Sequence, residues 1–496
     1  MVWRLWPTKY PRASVIEYHV LQDDTAFLLW TRIDLMHEPA AWLSRVDSSG
    51  RTLWLRELPA LPLHGNSLHV SDTVVAIRYT HSRDGYDRDH SIVAYSHGGK
   101  MLWDKTIAPF YPQPVDEDPK YGKTSAEMPG PSGVVVGDRL VEWAFTGTEW
   151  KTVGLDARTG RELWNESGRS NPSSMFVLGQ QLLETHAPSM ERLVAVRRAD
   201  VPTGPRVVVR AVESGTGSAQ EKEVRGAGCV LDGRYVTLVD NGDVTSLVSF
   251  RDGIAAVERV LIENLDFMES PTMQYLESCG RYRGNFVLVL TAAKGRLIGE
   301  DARELVIVDA RGKVLHRIDL PFDVLLLLDS NTTTQLASDR LPLHGDLPRF
   351  VAVTQPAAEG RHGDSVVVLD LEQGTIASTM PTSTLHGTVF SAGGGWYLGN
   401  RDRHRVLLLH RIDGKTGDVL AVDIRVAGLG AFDTELDPTH VSSKSVWLVP
   451  YLDAAIDAPP MAVLDATTLA PRYVSPSMSV FDKTARVQAS RAAGHQ

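Results

Sequence analysis

Residues 153–164, VGLDARTGRELW, belong to a pattern that returns along most of the chain, and this return limits the fold more than any other feature. An apolar strand ends at Asp156, whose carboxylate can accept backbone N–H groups across a tight turn, and Gly160 supplies the positive φ that such turns often need. The chain then reverses into a strand carrying Leu163 and Trp164, so the unit is a β-hairpin with a large aromatic near its return.

The same outline recurs at 42–54, 92–103, 305–318, 366–378, 407–422 and 461–474, with weaker copies at 207–220 and 245–258, giving nine hairpins in all. Two further apolar segments precede each hairpin, as in SLHVSDTVVAIRYT (67–80) and SGVVVGDRLVEWAF (132–145). Four strands per unit, repeated about every 40–60 residues, predict an all-β chain folded as a single closed β-propeller of four-stranded antiparallel blades, eight or nine in number. No helical period competes over any long window, so no helix beyond a turn or two is expected. One domain is expected over 1–496, with repeats from about 15 to 482, a short tail at 483–496 and insertions at 109–131 and 328–348. A ring must also close. VIEYHV (15–20) and SMSVFD (477–482) flank the repeats, and one of them is expected to complete a blade built mainly from the other end of the chain.

The turn pattern Asp-x-x-Thr-Gly-x-x-x-Trp, complete at Asp156, Thr159, Gly160 and Trp164, resembles the repeat of the pyrroloquinoline-quinone-type propeller family. Partial copies stand at Asp47/Gly50/Trp54 and Gly99/Trp103; later repeats carry His316 or no aromatic in that slot. The resemblance implies that each Trp docks between neighbouring blades. It also raises a quinone-dependent dehydrogenase, for which it would imply a vicinal cysteine pair and a calcium site with a catalytic Asp. The two cysteines, Cys229 and Cys279, are 50 positions apart, and no cofactor site of that kind is matched. A likeness to the lipoprotein-type propeller scaffold of outer-membrane assembly would imply a lipidated cysteine near the start, whereas the first cysteine is Cys229.

The chain's 43% hydrophobic content is ample for a large core. A net charge of −10 with scattered Lys and Arg argues against nucleic acid as a partner. Two cysteines are too few for a disulfide framework and are typical of reducing surroundings, where either could be an inert core thiol. The opening stretch has no apolar run of signal-peptide length, and no segment reaches the roughly 20 apolar residues of a membrane helix. The expected location is the cytoplasm, with no membrane insertion.

In a four-stranded meander, second-to-third and outer-to-inner connections leave on one side of the ring, and the Asp/Gly hairpins turn on the other. The first kind carries the charged segments HSRDGYDRDH (81–90) with His81 and His90, AAEGRHGD (357–364) with Arg361 and His362, and NRDRHR (400–405) with Arg401, Arg403 and His404. The second kind carries three Leu-His-Gly copies, at His64, His344 and His386, and the 109–131 insertion with Tyr111, Asp116 and Tyr121. These residues are the candidate partner-binding set, since long loops concentrate function. The plainer alternative makes each Leu-His-Gly histidine a turn residue bonded to backbone, and each charged segment a solvated tip. HSRDGYDRDH lacks the ordered spacing of an EF-hand loop, so no metal is expected. The nucleophile-elbow, zinc-protease, phosphate-loop and paired-cysteine motifs are absent, so neither a catalytic residue nor a cofactor is assigned. The expected function is a non-catalytic protein-interaction scaffold that binds another protein through the loop-rich face. By analogy of fold alone, such modules serve bacterial multi-protein and conflict or immunity systems. The alternative is a ligand-binding or quinone-dependent oxidoreductase propeller working through the central channel.

Overall fold

The computed structural model describes residues 12–483 apart from 33–38, 63–66, 83–87, 111–132, 146–148, 169–173, 179–180, 187–205, 242–243, 251–253, 255–256, 264, 266–273, 294–300, 325–345, 356–364, 382–388, 393, 403–405, 427–430, 433–439, 453 and 457. The chain forms nine antiparallel blades in sequence order, at 12–57, 68–110, 133–167, 174–225, 229–262, 274–324, 346–381, 389–426 and 441–474. This is a nine-bladed β-propeller, the upper of the two expected counts, with no helix among the described residues. One long strand, Ala219–Leu231, is outer in blade 4 and inner in blade 5.

Each blade is covered on both faces by its neighbours. Its middle strands therefore read as continuous apolar runs instead of alternating ones; in Thr25–Arg32 every residue between the two ends is buried. Phe27 and Leu29 of blade 1 meet Val75 and Ile77 of blade 2, and Val141 and Trp143 of blade 3 meet Leu182 and Val212 of blade 4. Buried clusters of this kind fill every seam around the ring, including the seam between blades 9 and 1, where Val15, Leu28 and Trp30 pack with Trp447, Met461 and Val463.

The hairpin turn behaves as its residues imply. Asp156 Oδ1 accepts the Thr159 N–H at 2.9 Å, the Thr159 hydroxyl at 2.8 Å and the Arg158 N–H at 3.2 Å, and Gly160 sits at φ 67°. Asp47, Asp309, Asp370, Asp413 and Asp465 accept backbone N–H groups in the same way. Burial alone would raise the Asp156 carboxyl, but the hydrogen bonds from Thr159 and Arg158 hold it below the usual carboxylate range. The preceding blade's tryptophan then lies on the turn glycine. Trp103 donates its Nε1–H to Ala157 O at 2.8 Å, and a Cβ added to Gly160 would fall 2.6 Å from its ring. Trp54 docks on Gly99 and Trp164 on Gly217 with the same bond, to His97 O and Ser214 O. His316 occupies the equivalent place over Gly374.

Two expectations need correction. The last repeat does carry an aromatic in the docking slot, because Tyr473 lies over Gly50 and so ties blade 9 to blade 1 by the repeated device. It is hard to see in sequence because the turn position before it is Leu469, held at φ 56° without the usual glycine. Closure also uses neither flanking segment to complete a blade built from the other end of the chain. Residues 15–20 belong to the inner strand of blade 1 itself, Arg12–Val20, whereas Met478–Asp482 turns back to pair with Val419–Val426 at the outer edge of blade 8. Side chains and one short bridge close the ring instead. Ala454–Ala455 pairs with Arg12–Ala13, Tyr18 donates its hydroxyl to Trp447 O at 2.9 Å, and buried Asp24 binds Ser445 and, at 3.0 Å, Arg472.

The cysteines are a third departure. Cys229 and Cys279, read as candidate core thiols, form a disulfide between the inner strands of blades 5 and 6, with Cα atoms 5.7 Å apart. Their separation of 50 residues is one repeat, which places them side by side.

Candidate functional site

The two sides of the ring differ in their connections. Inner-to-second connections such as 71–73, 137–138 and 283–284 are minimal, and the third-to-outer turns are the short Asp/Gly hairpins, the longest being 251–258 in blade 5. The long connections leave from the opposite side. They include 111–132 between blades 2 and 3, 187–205 within blade 4, and the stretch between Val314–Val324 of blade 6 and Phe350–Gln355 of blade 7. The strand order matches the expected phase, and the segments around 81–90, 357–364 and 400–405 each join a second strand to a third.

Among the candidate residues, His64, Tyr111, Asp116, Tyr121, His344, Arg361, His362, His386, Arg403 and His404 lie outside the described residues. His81 falls in the strand Val74–Ser82, and Arg401 in Gly395–Asp402. His90 is a correction. It lies in the third strand of blade 2, Arg88–Ser96, with no exposed surface, so it cannot be a loop-tip contact.

His90 instead joins a buried polar cluster in the seam between blades 2 and 3. Arg78 from the second strand of blade 2 and Glu142 from the second strand of blade 3 are completely buried, and His69 from the inner strand of blade 2 is 8% exposed. Glu142 lies 3.4 Å from His69 Nε2, 3.6 Å from Arg78 Nη1 and 3.9 Å from His90 Nε2. Its carboxylate fills the space that a Cβ on Gly133 of the neighbouring inner strand would need. Among the described residues, no partner lies in full hydrogen-bond geometry to either Glu142 oxygen, either His90 nitrogen or His69 Nε2, the Arg78 guanidinium approaching Glu142 at 3.6 Å. From blade 1, Glu17 reaches this region and accepts the N–H groups of Ser67 and Leu68 at 2.8 and 3.1 Å.

Burial dominates the electrostatics. It pushes Glu142 up to about 7, against the pull of Arg78, and pushes His90 down to about 3, helped by the Arg78 charge. Burial likewise lowers His69 well below the usual histidine range, with Arg78 and His90 adding to the effect. At neutral pH the cluster thus has neutral imidazoles around one guanidinium and one carboxyl poised to titrate. Sequence reasoning passed over Arg78 and Glu142, although the signal was present. Each is a lone charge at a core-facing position inside an apolar strand, in VVAIRYT and RLVEWAF.

A groove of about 590 Å³ opens at the rim between blades 3 and 4. Glu166 and Glu221 flank Arg210 there, so the guanidinium is already engaged within the chain. The described residues contain no group of three side chains placed to hold a metal ion, and no helix of membrane-spanning length and apolarity.

No known protein family and no curated protein matches this chain. Among solved structures it is similar to the quinohemoprotein alcohol dehydrogenase of Comamonas testosteroni, at 11% identity and TM-score 0.37, over 74% of this chain and 71% of that one. It is also similar to Saccharomyces cerevisiae Sqt1, at 11% identity and TM-score 0.37, over 82% and 97% of the two chains. The Dos1 propeller is a third, at 9% identity and TM-score 0.36, over 94% and 96%.

Proposed function

We propose that this propeller is a non-catalytic interaction scaffold that docks a protein partner on the side bearing its long connections. One observation carries the reading: one side of the ring is built from short, near-identical turns, and the other receives every long connection between described strands. A surface meant only to finish a fold has no need of that asymmetry, whereas recognition requires variable loops on a rigid base. The charged residues Arg361, Arg401 and Arg403 belong to those connections or their edges and supply the contacts to test.

The experiment compares wild type with the triple variant Arg361→Glu, Arg401→Glu, Arg403→Glu after purification from the native source. A protein retained in stoichiometric amount by wild type and lost from the folded variant supports the scaffold. Equal retention by both moves the contact elsewhere, and a bound chromophore without any protein partner favours the central-channel alternative. For the compartment, the Cys229–Cys279 bond weighs against the cytoplasmic expectation, since stable disulfides belong to oxidising surroundings. Alkylation at the moment of lysis decides the point: two blocked thiols per chain support the cytoplasm, and none supports an oxidising compartment.

A further inference from the structure

The seam between blades 2 and 3 holds more acid than base. Glu17 is fixed by two backbone N–H groups, and Arg78 offers one positive charge to set against both Glu17 and Glu142. Among the described residues the remaining groups near Glu142 are few. His69 comes from the inner strand of blade 2, Leu68–Val70, and His90 from its third strand, Arg88–Ser96. On the outer strand of blade 2, Lys105 is engaged at the rim with Glu162, 3.8 Å away, and Gly160 O. Within blade 3, Glu142 pairs across to Val153, with half-buried Lys151 farther along that strand, while Arg139 turns to Asp138 and Asp156. The inner strand Gly133–Val136 brings no charge. Among the described residues, an ionised Glu142 therefore places a second carboxylate beside the single guanidinium of a buried seam, 3.4 to 3.9 Å from the nearest imidazole and guanidinium nitrogens.

We propose that Glu142 holds an exchangeable proton beside the neutral imidazoles of His69 and His90, and that this proton ties the closure of the blade 2–3 seam to pH. The seam is closed while Glu142 is neutral and loosens when the proton leaves. The strands that would loosen, Val74–Ser82, Arg88–Ser96 and Met101–Phe110, lead into connections 83–87 and 111–132, so the event is transmitted toward the side with long loops. The inference is independent of whether that side binds a protein.

Hydrogen–deuterium exchange of the intact protein at pH 6 and pH 8.5, corrected for intrinsic exchange rates, tests it. Opening at amides of 75–79, 91–94 and 140–143 is expected to rise about tenfold in wild type, as follows from a carboxyl pushed up to about 7. Glu142→Gln, neutral at every pH, is expected to show no rise. Equal exchange at both pH values in wild type, or the same rise in Glu142→Gln, overturns the proposal. Should that variant fail to fold, wild type still decides. The infrared carbonyl band of a buried neutral carboxylic acid must be present at pH 6 and lost by pH 8.5, and its absence at pH 6 overturns the proposal.

Discussion

The seam between blades 2 and 3 and the seam between blades 6 and 7 are built on the same outer device but filled with opposite chemistry. In the first, Trp103 sits on Gly160, and the interior contains Arg78, Glu142, His69 and His90. In the second, the smaller His316 sits on Gly374, and the interior is aliphatic, with Val287, Val289, Leu305 and Ile307 of blade 6 clustered with Val351, Val353 and Leu369 of blade 7. Among the described residues of blades 6 and 7 the only buried side chain that is charged at neutral pH is Asp370, at the outer turn, paired with Arg349 at 2.7 Å. The repeat therefore dictates the dock and leaves the filling free. A polar filling is costly, and the blade 2–3 seam sets a completely buried carboxyl beside a completely buried guanidinium, a pair that the aliphatic blade 6–7 seam does not contain among the described residues.

The sharpest way to break this contrast is to convert one seam into the other. At pH 8.5, where Glu142 has lost its proton, Arg78→Met alone strands the carboxylate and is expected to cost about 3–5 kcal/mol in denaturant unfolding, while Arg78→Met with Glu142→Leu together recovers most of that loss. A double variant as unstable as the single one would mean that the polar seam cannot be read as an alternative filling. For scale, Leu305→Ala in the aliphatic seam should cost about 2–5 kcal/mol with no such rescue.

Exchanging the docks probes the outer half. Trp103→His is expected to cost about 1–3 kcal/mol, because an imidazole covers less of Gly160 and misplaces the bond to Ala157 O. His316→Trp should gain less than about 1 kcal/mol if Gly374 has room for the larger ring. A large loss in the second case would show that the two docks are not equivalent.

A separate contrast is in pH. His90, pushed down to about 3 by burial and Arg78, and His410, pushed down to about 4 by burial against the pull of Asp423, both contribute stability that is complete above the usual 6.5 and is lost as pH falls below it. Glu142 works the other way. Its contribution is complete below the usual 4.5 and is lost as pH rises through about 7. Unfolding curves from pH 4 to 8 should therefore peak near neutrality. His90→Gln should flatten the acid side by about 1.4 kcal/mol per pH unit. Leu305→Ala should lower the curve without changing its shape, and a changed shape would contradict the assignment of the titrating groups to the polar seam.

The architecture was legible because the Asp/Gly turn repeats with its own chemistry, and strand phase followed from where the long connections fell. Three features escaped for physical reasons. Tyr473 was hidden by Leu469, which adopts a conformation normally left to glycine. The disulfide was obscured because linear distance was read as separation, although one repeat of chain returns a residue to its neighbour's side. The cluster around Glu142 was missed because its members come from separate strands, and a lone charge in an apolar strand shows its partners only once the blades stack. The candidate loop residues were chosen by composition and connection type, which locate a side of the ring but not a contact.

Closure by packing has a consequence for how such a ring can change. Among the described residues the only strand that crosses the junction of blades 9 and 1 is the two-residue Ala454–Ala455, and Tyr473 meets Gly50 there as Trp103 meets Gly160 elsewhere. The junction is chemically one seam among nine. A circularly permuted gene that cut the chain at another outer-to-inner connection and joined the present ends would still present each blade with its proper neighbour. A duplicated or deleted repeat would likewise leave no orphaned half-blade behind. Such a ring can be re-cut or resized by whole units, a route to new arrangements of loops that a strand-exchanged ring does not offer.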